Sequence, residues 1–364
     1  MNFTNIDDIP PCTCDGTPDG VRLPNLIMII TVLPFMASCG FVLNVISFIV
    51  FLRQCRIMTH TPCVYLAVLA LSDCGVCLCG IFVIAADSAR AYVPGLNQVW
   101  VPMIPYLAPV AVNFQMLSVY ITVFAAFDCF FYVARVSFCH QWCSPRFARR
   151  LLLGIACAVF AYNFVTFFEL RHSRCYDAAL KAPKYEICPS TFRSELYVTY
   201  YKGYMYTATM AVIPCLLLIS LSAGIIYYTN RPRWTDAIEA NADNNNRFFN
   251  RLVCLPGYDE PPQFEINRGT EDGSPVMMLG LVIALFLVCN SVSLVVNILE
   301  ICAGQSIATF HHILIDIGNV LVVFNAFANF FIYVALSAAY RRDLSEIASY
   351  FTLPKSNSSS ISHL

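Results

Sequence analysis

Residues 106–131 read "YLAPVAVNFQMLSVYITVFAAFDCFF", an apolar run that ends on one aspartate, Asp128, a short way before the basic segment "SPRFARR" at 144–150. About 20 apolar residues are enough for a helix to cross the hydrocarbon of a bilayer. The run belongs to a stretch at 101–134, and six more flank it, at roughly 24–52, 61–86, 150–168, 203–228, 276–299 and 308–338. The composition, 58% hydrophobic and only 12% charged, lies far from the soluble average, so most of the chain sits in lipid. The expected fold is all-α, a seven-transmembrane helix bundle.

Basic residues set the expected orientation. With the N-terminus outside, the cytoplasmic side carries Arg53, Arg56, Arg135, Arg146, Arg149, Arg150, Arg231, Arg233, Arg247, Arg251, Arg268, Arg341, Arg342 and Lys355, which is fourteen of the twenty-two lysines and arginines. Residues 1–22 are polar and acidic, so span one is expected to direct insertion itself, with no cleavable signal peptide before it. The expected organisation is an extracellular segment at 1–23, one seven-helix domain at 24–345 with a long cytoplasmic loop at 229–275, and a cytoplasmic tail at 346–364. Asn2, in Asn2-Phe3-Thr4, is a glycosylation sequon on the outer side. A net charge of −1 gives no footprint for nucleic acid.

Seven spans with an outside N-terminus suit a receptor, a retinal protein or a small transporter. A retinal protein needs a Schiff-base lysine in the last span, and 308–338 has none. A transporter places several ionisable groups at the midplane in two related halves, whereas only Asp73 and Asp316 are placed for that here and no internal repeat is visible. Asn44, Asp73, Asn325 and Asn329 are costly in lipid unless they face one another or water. Asn325 and Asn329 share a helical face, and Ser118 precedes Asp128 by nearly three turns. Asp73, Ser118, Asn325 and Asn329 are therefore the candidate inner polar pocket, with isolated polar glue between helices as the plainer alternative. No catalytic constellation is expected. Metal binding by His311 and His312 is not expected either, since neighbouring helical residues diverge by about 100°.

Asparagine in span one, "LALSD" at 69–73, Pro214 in span five and "NFFIY" at 329–333 resemble the signature of rhodopsin-type G-protein-coupled receptors. Within that superfamily the chain resembles the invertebrate FMRFamide-type neuropeptide receptors. The segments that carry the likeness are "YLAPVAVNFQMLSVYITVFAAFD", "FCHQWCSPRFARR", "YNFVTFFEL", "CPSTFRSELYVTYYKGYMY", "FLVCNSVSLVVNILE" and "DIGNVLVVFNAFANFFIYVALSAAYRRDL". The resemblance implies a plasma-membrane receptor with a peptide ligand, a heterotrimeric G protein as partner, no cofactor beyond a sodium ion in the polar pocket, and a short lipid-facing surface helix after span seven, at "YRRDL". It also implies a cytoplasmic switch at Asp128, Cys129, Phe130, Asn329 and Tyr333.

The chain departs from the family pattern in three places. An acid-arginine-aromatic triplet ends span three in the family, and here Cys129 stands in the arginine's place. Two readings stay open: another cation such as Arg135 compensates, or the chain is a decoy that binds peptide without efficient coupling. In span six, Asn290 stands where an aromatic is common in other receptors and Val292 where the family has proline, and in span seven Phe330 stands where the superfamily usually has proline, although the FMRFamide-type receptors resemble this chain there.

The resemblance implies that an amine receptor would carry an aspartate in the outer half of span three, and residues 101–117 hold no acid, so an amine ligand is not expected. A basic, amidated peptide needs carboxylates and aromatics at the outer mouth. Gln115, Glu169, Glu300 and Asp316 are the ligand candidates, with Asp87 beside them and Tyr197, Tyr201 and Tyr204 as neighbours. Of eighteen cysteines, Cys12, Cys14, Cys175 and Cys188 are placed to face the oxidising side. The bridge that receptors usually make from the top of span three is excluded, because 91–116 hold no cysteine. The first expectation is Cys175–Cys188, and the alternative pairs each of these with the N-terminal segment.

Overall fold

The computed structural model describes residues 9–14, 25–57, 61–90, 92–134, 144–177, 181–229, 275–303 and 308–352. Asn2, Arg135 and the loop residues 230–274 lie outside the described residues, as does the side chain of Glu300.

Among the described residues, seven helices are long and apolar enough to cross a membrane: Leu26–Arg56, Thr61–Ala89, Ile104–Ala134, Pro145–Phe168, Tyr197–Thr229, Met277–Val296 and Ile313–Leu336. These are spans one to seven. Helices are the form that satisfies every backbone group within a single lipid-crossing segment. Span four begins on Ser144, whose Oγ accepts the Phe147 amide at 3.2 Å, with Pro145 at the first helical position. Pro214 follows a π-helical stretch at Ala208–Val212. Its missing N–H therefore falls where the ladder is already re-registered. Span five starts further out than the apolar run suggests, at Tyr197 and not near 203, because its first turns are tyrosine-rich and carry Lys202.

Close approach of spans two and three depends on Gly75, where an added Cβ would lie 2.3 Å from the Phe114 ring. One turn away Ser72 Oγ donates to the Phe114 carbonyl at 2.9 Å. After span seven the helix Ala338–Thr352 turns along the cytoplasmic side. Tyr340, fully buried, hydrogen-bonds Ser47 at 2.9 Å, Gln54 donates to Asp343 at 2.7 Å, and Arg53 pairs with Glu346. Burial pushes the Tyr340 phenol up to about 12, so it serves as a neutral hydrogen-bonding group.

The outer loop after span four is a β-hairpin, which the sequence reading did not anticipate: β1 (Leu170–Asp177) pairs antiparallel with β2 (Ala182–Pro189). The register corrects the first disulfide expectation. Cys175 lies opposite Lys184 and Cys188 opposite Arg171, so the two cysteines are four residues out of step, or roughly 13 Å along the strands. They cannot bond each other. Instead Cys12 bonds Cys175 and Cys14 bonds Cys188, with Cα separations of 4.9 and 5.2 Å. The N-terminal segment lies beside β1 through Cys12 N to Tyr176 O at 3.3 Å and Tyr176 N to Pro10 O at 2.8 Å. Glu186, 3% exposed, accepts the amides of Thr13 at 3.0 Å and Cys14 at 2.8 Å. Two disulfides on this face belong on the oxidising side of the membrane, which places the N-terminus outside.

Candidate functional site

At the middle of the bundle Asp73, 1% exposed, uses both carboxylate oxygens. Ser118 Oγ donates to Oδ1 at 2.8 Å and Asn329 Nδ2 to Oδ2 at 2.9 Å, so spans two, three and seven meet on one carboxylate. Asn325 lines the same small cavity, of about 10 Å³, the space of one water or a small ion. The structure thus brings together all four residues of the polar pocket. Asn44 ties span one to span seven by donating to the Gly40 and Ala326 carbonyls, both at 2.9 Å.

Three buried oxygens around this centre have no hydrogen-bond partner: Asn325 Oδ1, Asn329 Oδ1 and Tyr333 OH. Buried polar atoms are rarely left so. Asp73, Ser118 and Asn325 offer oxygens to the small cavity, and Asn329 is tied to the Asp73 carboxylate beside it. Such a set suits a small hard cation with water, and a sodium ion fits the residues present.

Above this chamber opens a larger cavity of about 200 Å³, lined by Gln115 from span three, Tyr206 and Met210 from span five, Asn290 and Ser293 from span six, and Asn319 from span seven. Gln115 and Asn290 line both spaces, so together they are the floor of one and the roof of the other. None of the lining side chains carries a charge. Sequence reasoning picked out Gln115 but not Tyr206, Ser293 or Asn319; the tyrosine run at 197–206 was the only signal for any of these three. Asn290, noted there only as a departure, sits at the junction.

The outer carboxylates do not converge on the cavity. Glu169, 7% exposed, is held by Lys202 Nζ at 2.8 Å and Arg193 at 3.6 Å, with the Tyr197 hydroxyl at 3.5 Å. Asp87 pairs with Arg90 at 2.6 Å. Asp316, half-buried in span seven, accepts from Asn25 Nδ2 at 3.3 and 3.1 Å. Tyr197 and Tyr201 stack at 5.0 Å, and the Tyr201 hydroxyl donates to the Tyr162 carbonyl at 2.8 Å.

At the cytoplasmic end Asp128, Cys129 and Phe130 lie in the last turns of span three, all half-buried. Phe130 covers Gly224 of span five, where an added Cβ would sit 2.7 Å from its ring, and meets Tyr228 edge-on at 5.9 Å. Tyr333 is buried against Phe51 edge-on at 5.0 Å, near the end of span seven and just before the surface helix.

No protein-family model matches the chain. Similarity to known proteins nevertheless covers most of it. It is 28% identical over 337 residues, 88% of this chain and 78% of the relative, to a Caenorhabditis elegans protein described as "Probable G-protein coupled receptor frpr-1". It is 26% identical over 311 residues, 83% of this chain, to the "FMRFamide peptide receptor frpr-18" of the same nematode, spanning 64% of that protein's length. The seven apolar helices, the polar centre they share and this likeness along the chain match a rhodopsin-type G-protein-coupled receptor, a multi-pass membrane protein similar to the FMRFamide-type receptors of nematodes.

Proposed function

We propose that the chain is a neuropeptide receptor that takes an amidated, FMRFamide-like peptide into the cavity between spans three, five, six and seven and passes the signal to a heterotrimeric G protein. The observation that carries this reading is the sharing of Gln115 and Asn290 between the outer cavity and the Asp73 chamber. A ligand group that moves these two side chains acts directly on the carboxylate that holds three spans together. The cavity wall offers amides, a phenol and a hydroxyl but no counter-charge. It therefore suits a neutral terminal carboxamide better than an ammonium or a free carboxylate, either of which would be desolvated without a partner.

Asp73, Ser118, Asn325 and Asn329 would hold the sodium ion, which when bound supplies the positive charge that a carboxylate in the core lacks. Release of Asn329 from Asp73 frees span seven from span two, and Tyr333 lies one turn further along the same helix. Span three transmits to span five through Phe130 on Gly224. The decoy alternative rests on sequence departures, Cys129 first and Asn290 and Val292 with it, and no contact among the described residues adds to it. The test is a screen of amidated and free-acid peptides on the full chain, with binding and second messenger read together. Amidated peptides ending in Arg-Phe-amide are expected to bind and signal, and their free acids to bind at least about tenfold more weakly.

A further inference from the structure

The outer carboxylates with described side chains are mostly spoken for. Asp87 has Arg90, Asp177 has Lys184 at 2.7 Å, Glu169 has Lys202 and Arg193, and Glu186 caps the two N-terminal amides. Glu195 is exposed to water. Asp316 differs from all of these. It lies inside a membrane span and is half-buried, and its two oxygens share a single neutral amide, that of Asn25. Among the described residues no cation pairs with it. Asp316 stands at the outer end of span seven, and a carboxylate partly withdrawn from water there is costly without one.

Its position completes the case. Ile315 and Asn319 line the outer cavity, and Asp316 is one residue further round the same helix, a turn of about 100°. That rotation directs it toward span one, where Asn25 begins the helix. A carboxylate has about four lone-pair sites, so the Asn25 amide leaves room for a two-pronged donor.

We infer that Asp316 is the acceptor for the guanidinium of the peptide ligand, on the side of span seven that meets Asn25 of span one, while the ligand's neutral amide occupies the main cavity. The inference rests on the proposed peptide-receptor function and deepens it. Guanidinium is the favoured cation, because its planar fork matches a carboxylate with two parallel hydrogen bonds. Glu169 carries no such role, since its two cations already satisfy it.

The test uses the full chain in membranes, with labelled Phe-Met-Arg-Phe-amide and the analogue in which citrulline, neutral and nearly isosteric, replaces arginine. On the wild type the citrulline peptide is expected to bind roughly 30-fold more weakly or worse, the usual consequence of removing one member of a desolvated charge pair. On Asp316→Asn the two peptides should bind within about threefold of each other, while Glu169→Gln keeps the wild-type discrimination. Should Asp316→Asn fail to reach the surface, Asp316→Ser gives the same readout. Discrimination retained in the Asp316 variants, or lost in Glu169→Gln alone, overturns the assignment and leaves the peptide-receptor reading intact. If neither this peptide nor any other ending in Arg-Phe-amide binds the wild type, the receptor reading itself falls and the assignment with it.

Discussion

Asn97 and Tyr185 exchange two hydrogen bonds across the outer face: the Asn97 Nδ2 donates to the Tyr185 carbonyl at 3.0 Å, and the Tyr185 amide donates to Asn97 Oδ1 at 2.9 Å. Asn97 sits on a short loop helix, Pro94–Trp100, and imitates a neighbouring strand for β2. It joins the hairpin to the loop before span three in a chain that has no cysteine there to do so. Asn97→Leu is expected to cost about 2–3 kcal/mol, because two hydrogen bonds are lost and buried backbone groups are left unpaired. Asn97→Asp keeps the acceptor and should cost less. Thermal unfolding of the detergent-solubilised receptor reads the difference, and equal stability of Asn97→Leu and wild type would remove this anchor from the account.

Disulfide mapping provides a second check. Non-reducing digestion should release peptides linking Cys12 to Cys175 and Cys14 to Cys188, and none linking Cys175 to Cys188. Cys12→Ser or Cys14→Ser is expected to lower stability by about 2–5 kcal/mol, since each bond closes a very long loop. A Cys175–Cys188 peptide as the main product would contradict the strand register.

The seven spans were legible because lipid demands long apolar runs and tolerates few exceptions. The exceptions themselves, Asp73, Asn325 and Asn329, were legible for the same reason, and the structure places them in one centre. The hairpin was not. "LRHSRCYD" and "APKYEICP" alternate poorly, and their strand character comes from the pairing with each other and with residues 9–14. Disulfide connectivity is likewise a property of register, which cysteine spacing does not encode. The occupation of Glu169 by Lys202 was invisible because Glu169 follows span four and Lys202 stands in span five, 33 residues on.

Gly75 tests the packing that brings Asp73 to Ser118. Gly75→Ala drives a methyl into the Phe114 ring, so it is expected to destabilise the receptor by about 1–3 kcal/mol. Gly154, with nothing within 4 Å of a built Cβ, is the control, and Gly154→Ala should be neutral or slightly stabilising. Equal melting temperatures for the two variants would show that spans two and three have room to part.

Asp73→Asn isolates the charge at the centre. Asn329 Oδ1 is unpartnered, so a flip of the Asn329 amide lets it accept from the amide N–H introduced by the substitution, and the fold is expected to survive within about 1 kcal/mol. Agonist affinity that falls with added sodium in wild type should become independent of sodium in the variant. If both respond identically across sodium concentrations, the oxygen donor set does not hold that ion.

Cys129 bears on how the receptor is held inactive. Cys129 adjoins Asp128 in the chain, so Cys129→Arg at matched surface expression is expected to lower basal signalling, shifting the inactive-active balance about fivefold, near 1 kcal/mol, through an added cation next to that carboxylate. A rise in ligand-driven signalling from a silent wild type would instead support the decoy reading.

The most direct measurement of the whole account is ligand binding and G-protein activation recorded on the same cells expressing the full wild-type chain, across a panel of amidated neuropeptides. A peptide ending in Arg-Phe-amide is expected both to bind and to raise the second-messenger signal over the same concentration range, with its free acid needing at least about tenfold higher concentration for either. Saturable binding with no second-messenger response to any G-protein class, or no binding by any such peptide, would contradict the account.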